Sequence, residues 1–251
     1  MSEATKTALM AVYQRLFKAF GPQKWWPAQT RFEVMVGAIL TQNTNWGNVE
    51  KALNNLKQKR LLSPQALKKV SPKKLALLIR PAGYFNIKTK RLKNFISFMF
   101  REYDGDLKKM AREDMAVLRH KLLEVSGIGP ETADSILLYA LDKPVFVVDA
   151  YTKRILYRHN MAQQDADYHA VQDMFMRSLD HDVSLFNEYH ALIVRLGKDF
   201  CKSNPLCPQC PLNSFHYSLV HKCSRCHRAL PSKRDRISAK AGYLCCECDA
   251  K

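Results

Sequence analysis

Residues 123–155, LEVSGIGPETADSILLYALDKPVFVVDAYTKRI, decide the fold. An apolar helix ends at Val125, Gly127-Ile128-Gly129 follows, and a second apolar helix runs over residues 131–141. The glycines permit positive φ and let the backbone approach a ligand closely. Ile128 between them can plug the gap between the helices. The second helix opens with unpaired N–H groups, which suit a phosphate. Together these features predict a helix-hairpin-helix, which grips a DNA backbone without reading sequence; the alternative is an ordinary tight turn. Twenty residues past Gly129, after Val145-Phe146-Val147-Val148, comes Asp149 at the head of an amphipathic helix over 150–158. An acid there is either a plain helix cap or a carboxylate presented at the mouth of a cleft.

Outward from this stretch the chain reads as all-α. Residues 8–20 carry apolar groups at Leu9, Val12, Tyr13, Leu16 and Phe20, a 3.6-residue period. Helices are predicted over 32–40, 49–56, 92–100, 115–125, 169–178 and 185–196. Ser63-Pro64 and Ser71-Pro72 read as helix starts, with Ser as cap and Pro in the first turn. The only strand signal is residues 145–148, β-branched but four residues long. Past Phe200 helical periodicity fades and cysteines and prolines take over.

Charge and cysteine are both segregated. The 251 residues carry a net charge of +17, and residues 51–101 hold fourteen basic residues and no acid. Such a block points to a polyanionic partner, most simply nucleic acid; the bland reading is a solvated lysine face. At 47% hydrophobic residues the chain can bury a core and is not disordered. It has neither an apolar run long enough to span a membrane nor a signal peptide, so no membrane association and a cytoplasmic location are expected, nucleoid-associated if the source is bacterial. All eight cysteines lie at or after Cys201. In a reducing compartment such clustering suggests metal ligands. Cys223-x2-Cys226, eighteen residues, then Cys245-x2-Cys248 has zinc-ribbon spacing and predicts a Zn2+ module over 217–251. Arg228, Lys233, Arg234, Arg236 and Lys240 in that interval suit an extra DNA grip.

The motifs LTQNT (40–44), GYFNIKTKRL (83–92), VSGIGPETA (125–133) and VVDAYTKRI (147–155) resemble the HhH-GPD superfamily of DNA base-excision glycosylases, in its endonuclease III-like branch. The resemblance covers roughly residues 8–215. It implies a two-domain all-α fold: a six-helix barrel domain over 31–125, and a second helical domain built from 1–30 with 126–215. It makes Asp149 the catalytic carboxylate, with the target base of double-stranded DNA rotated into the cleft between the domains. Gln42 matches the residue that enters the gap left by the base. Asn86, Lys88, Lys90 and Arg91 fall in a segment suited to phosphate contact. Bifunctional members carry a lysine two residues after the second hairpin glycine; this chain has Glu131, which cannot form a Schiff base. A monofunctional enzyme without AP-lyase activity is therefore expected.

KWWPAQTRFEVMVGAILTQNTNW (24–46) is similar to the 3-methyladenine DNA glycosylases of this branch. That similarity implies an aromatic base pocket of Trp25, Trp26 and Trp46, suited to a cationic alkylated purine. For Trp25 and Trp26 plain packing is the alternative. Cys201, Cys207 and Cys210 match the loop that holds a [4Fe-4S] cluster in endonuclease III-like proteins. Here the first gap is five residues rather than six, and His216 stands where the fourth cysteine is expected. Closure by His216, closure by Cys223, a zinc site or a decayed loop all remain open. The expected protein is a monomeric DNA glycosylase for alkylated purines. The alternatives are a glycosylase for an oxidised or mismatched base, or a non-catalytic damage sensor that needs no Asp149.

Overall fold

The computed structural model describes residues 3–23 and 28–215, together with the backbone of four short strands between 221 and 244. The chain divides into two compact units, Lys24–Val147 and Met1–Gln23 with Val148–Lys251.

The first unit is built around α2 (Arg31–Leu40), which is mostly apolar and buried from Phe32 to Leu40. Thr30 caps its start by accepting the N–H of Glu33. Glu33 itself is buried, and its carboxylate pairs with Lys57. α3 (Trp46–Gln58) follows, capped by Asn45. α4 (Pro64–Lys69) and α5 (Pro72–Leu78) each begin with a serine cap and a proline, as predicted. α6 (Phe85–Tyr103) is longer than its predicted 92–100 core. α7 (Leu107–Arg112) and α8 (Met115–Leu123) lead to α9 (Pro130–Ser135), which continues as a π-helical turn over Ile136–Ala140.

The expected barrel segment stops at residue 125, whereas this unit runs on to Val147, because α9 and the π-turn pack against α2. Residues 145–148 are buried but pair with no strand among the described residues. Their β-branched character serves core packing instead.

The second unit joins α1 (Glu3–Phe20), α10 (Ala150–Arg158), α11 (Tyr168–Met176) and α12 (Val183–Asp199). α12 is its axis and packs on both α1 and α10. Tyr189 of α12 is fully buried, donates its hydroxyl to the Leu9 carbonyl at 2.7 Å and meets Tyr13 edge-on. Burial alone holds that phenol well above its ordinary pKa. Gly197 of α12 admits the ring of Tyr151, since a Cβ there would stand 2.3 Å from the ring. Past α12 the described residues make a 3-10 turn (Cys207–Gln209) and two antiparallel strand pairs. β1 (His221–Lys222) pairs with β2 (Ala229–Leu230), and β3 (Ile237–Ala239) pairs with β4 (Gly242–Leu244). No described helix is long and apolar enough to cross a membrane.

Candidate functional site

The hairpin sits between α8 and α9, and its two glycines differ. Gly127 takes φ +97°, and a Cβ on it would lie 2.3 Å from Cγ of Arg91. Gly129 keeps an extended backbone with open space around it, so the reading of both as positive-φ positions holds for Gly127 alone. Ile128 is buried and its N–H closes a turn onto the Val125 carbonyl at 2.9 Å. A clamp beneath joins the two helices: Arg119 donates twice to the fully buried Asp134 at 2.7 and 2.9 Å.

Three of the sequence-selected residues meet at this turn. The Gln42 amide donates to the Gly127 carbonyl at 3.1 Å and to Thr132 Oγ1 at 2.8 Å, while its oxygen accepts from Arg91. The Arg91 stem lies where Gly127 lacks a side chain. Asn94, one turn along α6, donates to the Ser126 carbonyl at 2.9 Å. The loop is therefore held by side-chain amides and a guanidinium from α6 and the end of α2.

The basic block does two jobs. Lys88, expected on phosphate, is only 1% exposed and donates to the carbonyls of Leu40 and Ala82 at 2.9 and 2.7 Å. That placement corrects the expectation, since a buried ammonium bonded to the C-terminal end of α2 cannot reach a phosphate. Burial, with Arg91 nearby, lowers its pKa. Lys93 likewise donates to the carbonyls of Leu67, Lys68 and Val70 at the end of α4. Asn86 and Lys90 are exposed. The same segment carries two exposed apolar residues that sequence reading missed, Tyr84 and Ile87. Tyr84 is 68% exposed in a left-handed backbone with φ +45°, a strained state for a bulky residue. Its only sequence signal is the preceding glycine. Trp46 is half-buried in the first turn of α3. Trp25 and Trp26 lie outside the described residues. Glu131 is exposed in the first turn of α9.

In the second unit, Asp149 caps α10. Its Oδ1 accepts the N–H of Thr152 at 2.7 Å and the Thr152 hydroxyl at 2.8 Å. Its Oδ2 faces Nε2 of His190 on α12 at 3.7 Å, with the Asp149 side chain 12% exposed. Burial lowers the His190 pKa, with the Asp149 charge partly opposing, so the ring is neutral at neutral pH. Sequence reading missed His190; its signal is a titratable ring inside the apolar run from Tyr189 to Val194. The arrangement is an anchored carboxylate with one edge fixed and one edge against an imidazole. Such a group can stabilise a developing cation or orient a water molecule.

The cysteines of the 201–216 loop divide by depth. Cys201 is buried, Cys210 half-buried and Cys207 exposed. Arg158 approaches the Cys201 sulfur at 3.3 Å, and Leu212 N–H the Cys210 sulfur at 3.4 Å. Burial pushes the Cys210 thiol up, and the neighbouring Cys201 and Cys207 add to the rise. Among the described residues no group of three His, Cys, Asp or Glu side chains is gathered closely enough to hold a metal ion. His216, Cys223, Cys226, Cys245 and Cys248 lie outside the described residues.

Comparisons with known proteins agree with this architecture. The MJ1434 protein of Methanocaldococcus jannaschii, whose name is that of a DNA repair glycosylase, is 48% identical over 217 residues, covering 86% of this chain and 98% of its own. Endonuclease III of Thermotoga maritima is 28% identical, covering 73% of this chain and 81% of its own. Among solved structures, the H. pylori 3-methyladenine DNA glycosylase bound to 1,N6-ethenoadenine superposes with TM-score 0.66 at 30% identity, over 77% of this chain and 97% of that one. An endonuclease III–DNA complex shares the fold with TM-score 0.72 at 21% identity, over 83% and 94% of the two chains. The family model of HhH-GPD base excision DNA repair proteins matches residues 36–181, and the chain belongs to that superfamily.

Proposed function

We propose that this DNA repair glycosylase is monofunctional and hydrolyses the N-glycosidic bond of an alkylated purine, such as 3-methyladenine, flipped out of double-stranded DNA. The anchored Asp149 carboxylate carries the reading. Breaking an N-glycosidic bond builds positive charge on the deoxyribose. An anion held in place before the reaction stabilises that charge without reorganising, and it can take a proton from the attacking water. Extruding the base costs a few kcal/mol, less where pairing is already damaged.

The lesion class is supported by similarity to the 3-methyladenine glycosylase and by chemistry. An N-alkylated purine is cationic, stacks well on aromatic faces and leaves without strong acid assistance. The monofunctional reading is supported by Glu131, whose carboxylate cannot attack the sugar to form a Schiff base. DNA would be held by the Gly127–Gly129 hairpin backbone, by Asn86, Lys90 and Arg91, and by exposed Tyr84, whose ring can stack on a base. The paired CxxC motifs are proposed to hold Zn2+. A [4Fe-4S] cluster is proposed on Cys201, Cys207 and Cys210 with His216, and no catalytic step depends on it.

Base release from alkylated duplex DNA, compared between wild type and Asp149→Asn, tests the reading. The variant should lose about 100-fold or more in rate while binding DNA as wild type does. A wild type that releases no base from alkylated, oxidised or mismatched DNA overturns the enzymatic reading. Release of an oxidised or mismatched base alone overturns the lesion class.

A further inference from the structure

We propose that His190 is a positioning residue for Asp149, fixing the second oxygen of the carboxylate whose first oxygen is fixed by Thr152. The proposal rests on the reading of Asp149 as the catalytic group.

Both bonds from Thr152 end on Oδ1. The torsion that turns a carboxyl about its Cβ–Cγ bond is broad, so a carboxylate held by one oxygen can still swing the other. Oδ2 takes no bond from Thr152, and Nε2 of His190 stands 3.7 Å from it on a different helix. That helix is held in place close by. His190 and Gly197 are seven residues apart on α12, two turns, and so share a face. Gly197 is where the ring of Tyr151 from α10 seats itself, and Arg154 of α10 donates to the Gly197 carbonyl at 3.1 Å. The α10–α12 contact that places the imidazole therefore lies in the first two turns after the Asp149 cap.

The ring is suited to this task because it carries no charge. An imidazolium at this distance would neutralise the carboxylate and cancel the attraction for a cationic sugar. Burial keeps the ring neutral. With its proton on Nε2 it donates toward Oδ2. A gap of 3.7 Å exceeds a hydrogen bond, and such catalytic contacts tighten when substrate binds.

The test compares His190→Gln, which carries an N–H donor to the Nε2 position, with His190→Leu, which fills the space without one. Single-turnover base release and the Kd for the same DNA are measured for each. His190→Leu should lose about tenfold or more in rate with Kd unchanged, as expected for a misplaced reacting group, and His190→Gln should regain most of the loss. Equal rates for the two variants, or a wild-type rate in His190→Leu, overturn the proposal. A second measurement needs no activity: thermal unfolding of wild type, Asp149→Asn, His190→Leu and the double variant. Side chains in contact give Tm shifts that do not sum. Additive shifts overturn the proposal. An inactive wild type overturns instead the reading of Asp149, and the coupling then decides the contact by itself.

Discussion

Lys88 and Lys90 stand two residues apart in a run without acids and carry the same formal charge, yet the structure sends them to opposite fates. Lys88 is buried on two carbonyls and Lys90 is exposed. Replacing Lys90 with Ala should weaken DNA binding evenly across sequences and reduce the salt slope of log Kd by about one, measured by titration at several salt concentrations. Replacing Lys88 with Met should leave that slope unchanged and cost about 1–3 kcal/mol in urea unfolding, because two carbonyls at helix ends lose their donor. Helical phase separates them, since Lys88 lies one turn before buried Leu92 and two before buried Phe95, but the predicted helix began at residue 92 and left Lys88 outside it. Side-chain direction around α6, and what packs there, decides. His190 shows the same limit: a histidine in an apolar helix reads as core, and only the approach of α12 to α10 puts it beside Asp149. Asp149 was legible because its place after an apolar run and before an amphipathic helix is a local pattern.

At the scale of elements, the helix starts at Ser63-Pro64 and Ser71-Pro72 and the hairpin itself were readable, since caps and turns are written in neighbouring residues. The division of labour between the hairpin glycines was not. Gly127→Ala forces a side chain into a left-handed backbone and against the Arg91 stem. It should cost about 1–3 kcal/mol and weaken DNA binding through Arg91 and Gln42. Gly129→Ala has an extended backbone and open space, and should stay within about 0.5 kcal/mol of wild type in stability. Urea unfolding of the two variants side by side checks both values. Residues 145–148 carry strand-forming side chains without a strand, because extended residues become a sheet only where a second chain segment offers its hydrogen bonds.

For the whole molecule, the buried His190 and the half-buried His159 set a pH response. Burial lowers the pKa of both His159 and His190 from the ordinary 6.5. The folded protein then binds fewer protons than the unfolded chain between the folded and the ordinary values. Stability from these groups is present above pH 6.5 and drains as pH falls through that value. The urea midpoint should fall between about pH 7.5 and pH 5.5, and less steeply in His190→Leu; a pH-independent midpoint would contradict the lowered pKa of both rings. Metal analysis of the purified chain should find about one zinc, lost on Cys223→Ser with Cys245→Ser. By itself the sequence determined the all-α class, the hairpin, the carboxylate after it and the two cysteine groups, because each is carried by spacing along the chain. The tertiary structure alone decided which lysines are buried, which glycine is strained, that Gln42 and Arg91 meet at the hairpin, and that His190 faces Asp149. Each of these depends on a side chain from one helix meeting another far along the chain, and helical periodicity names the buried face of a helix but not its partner.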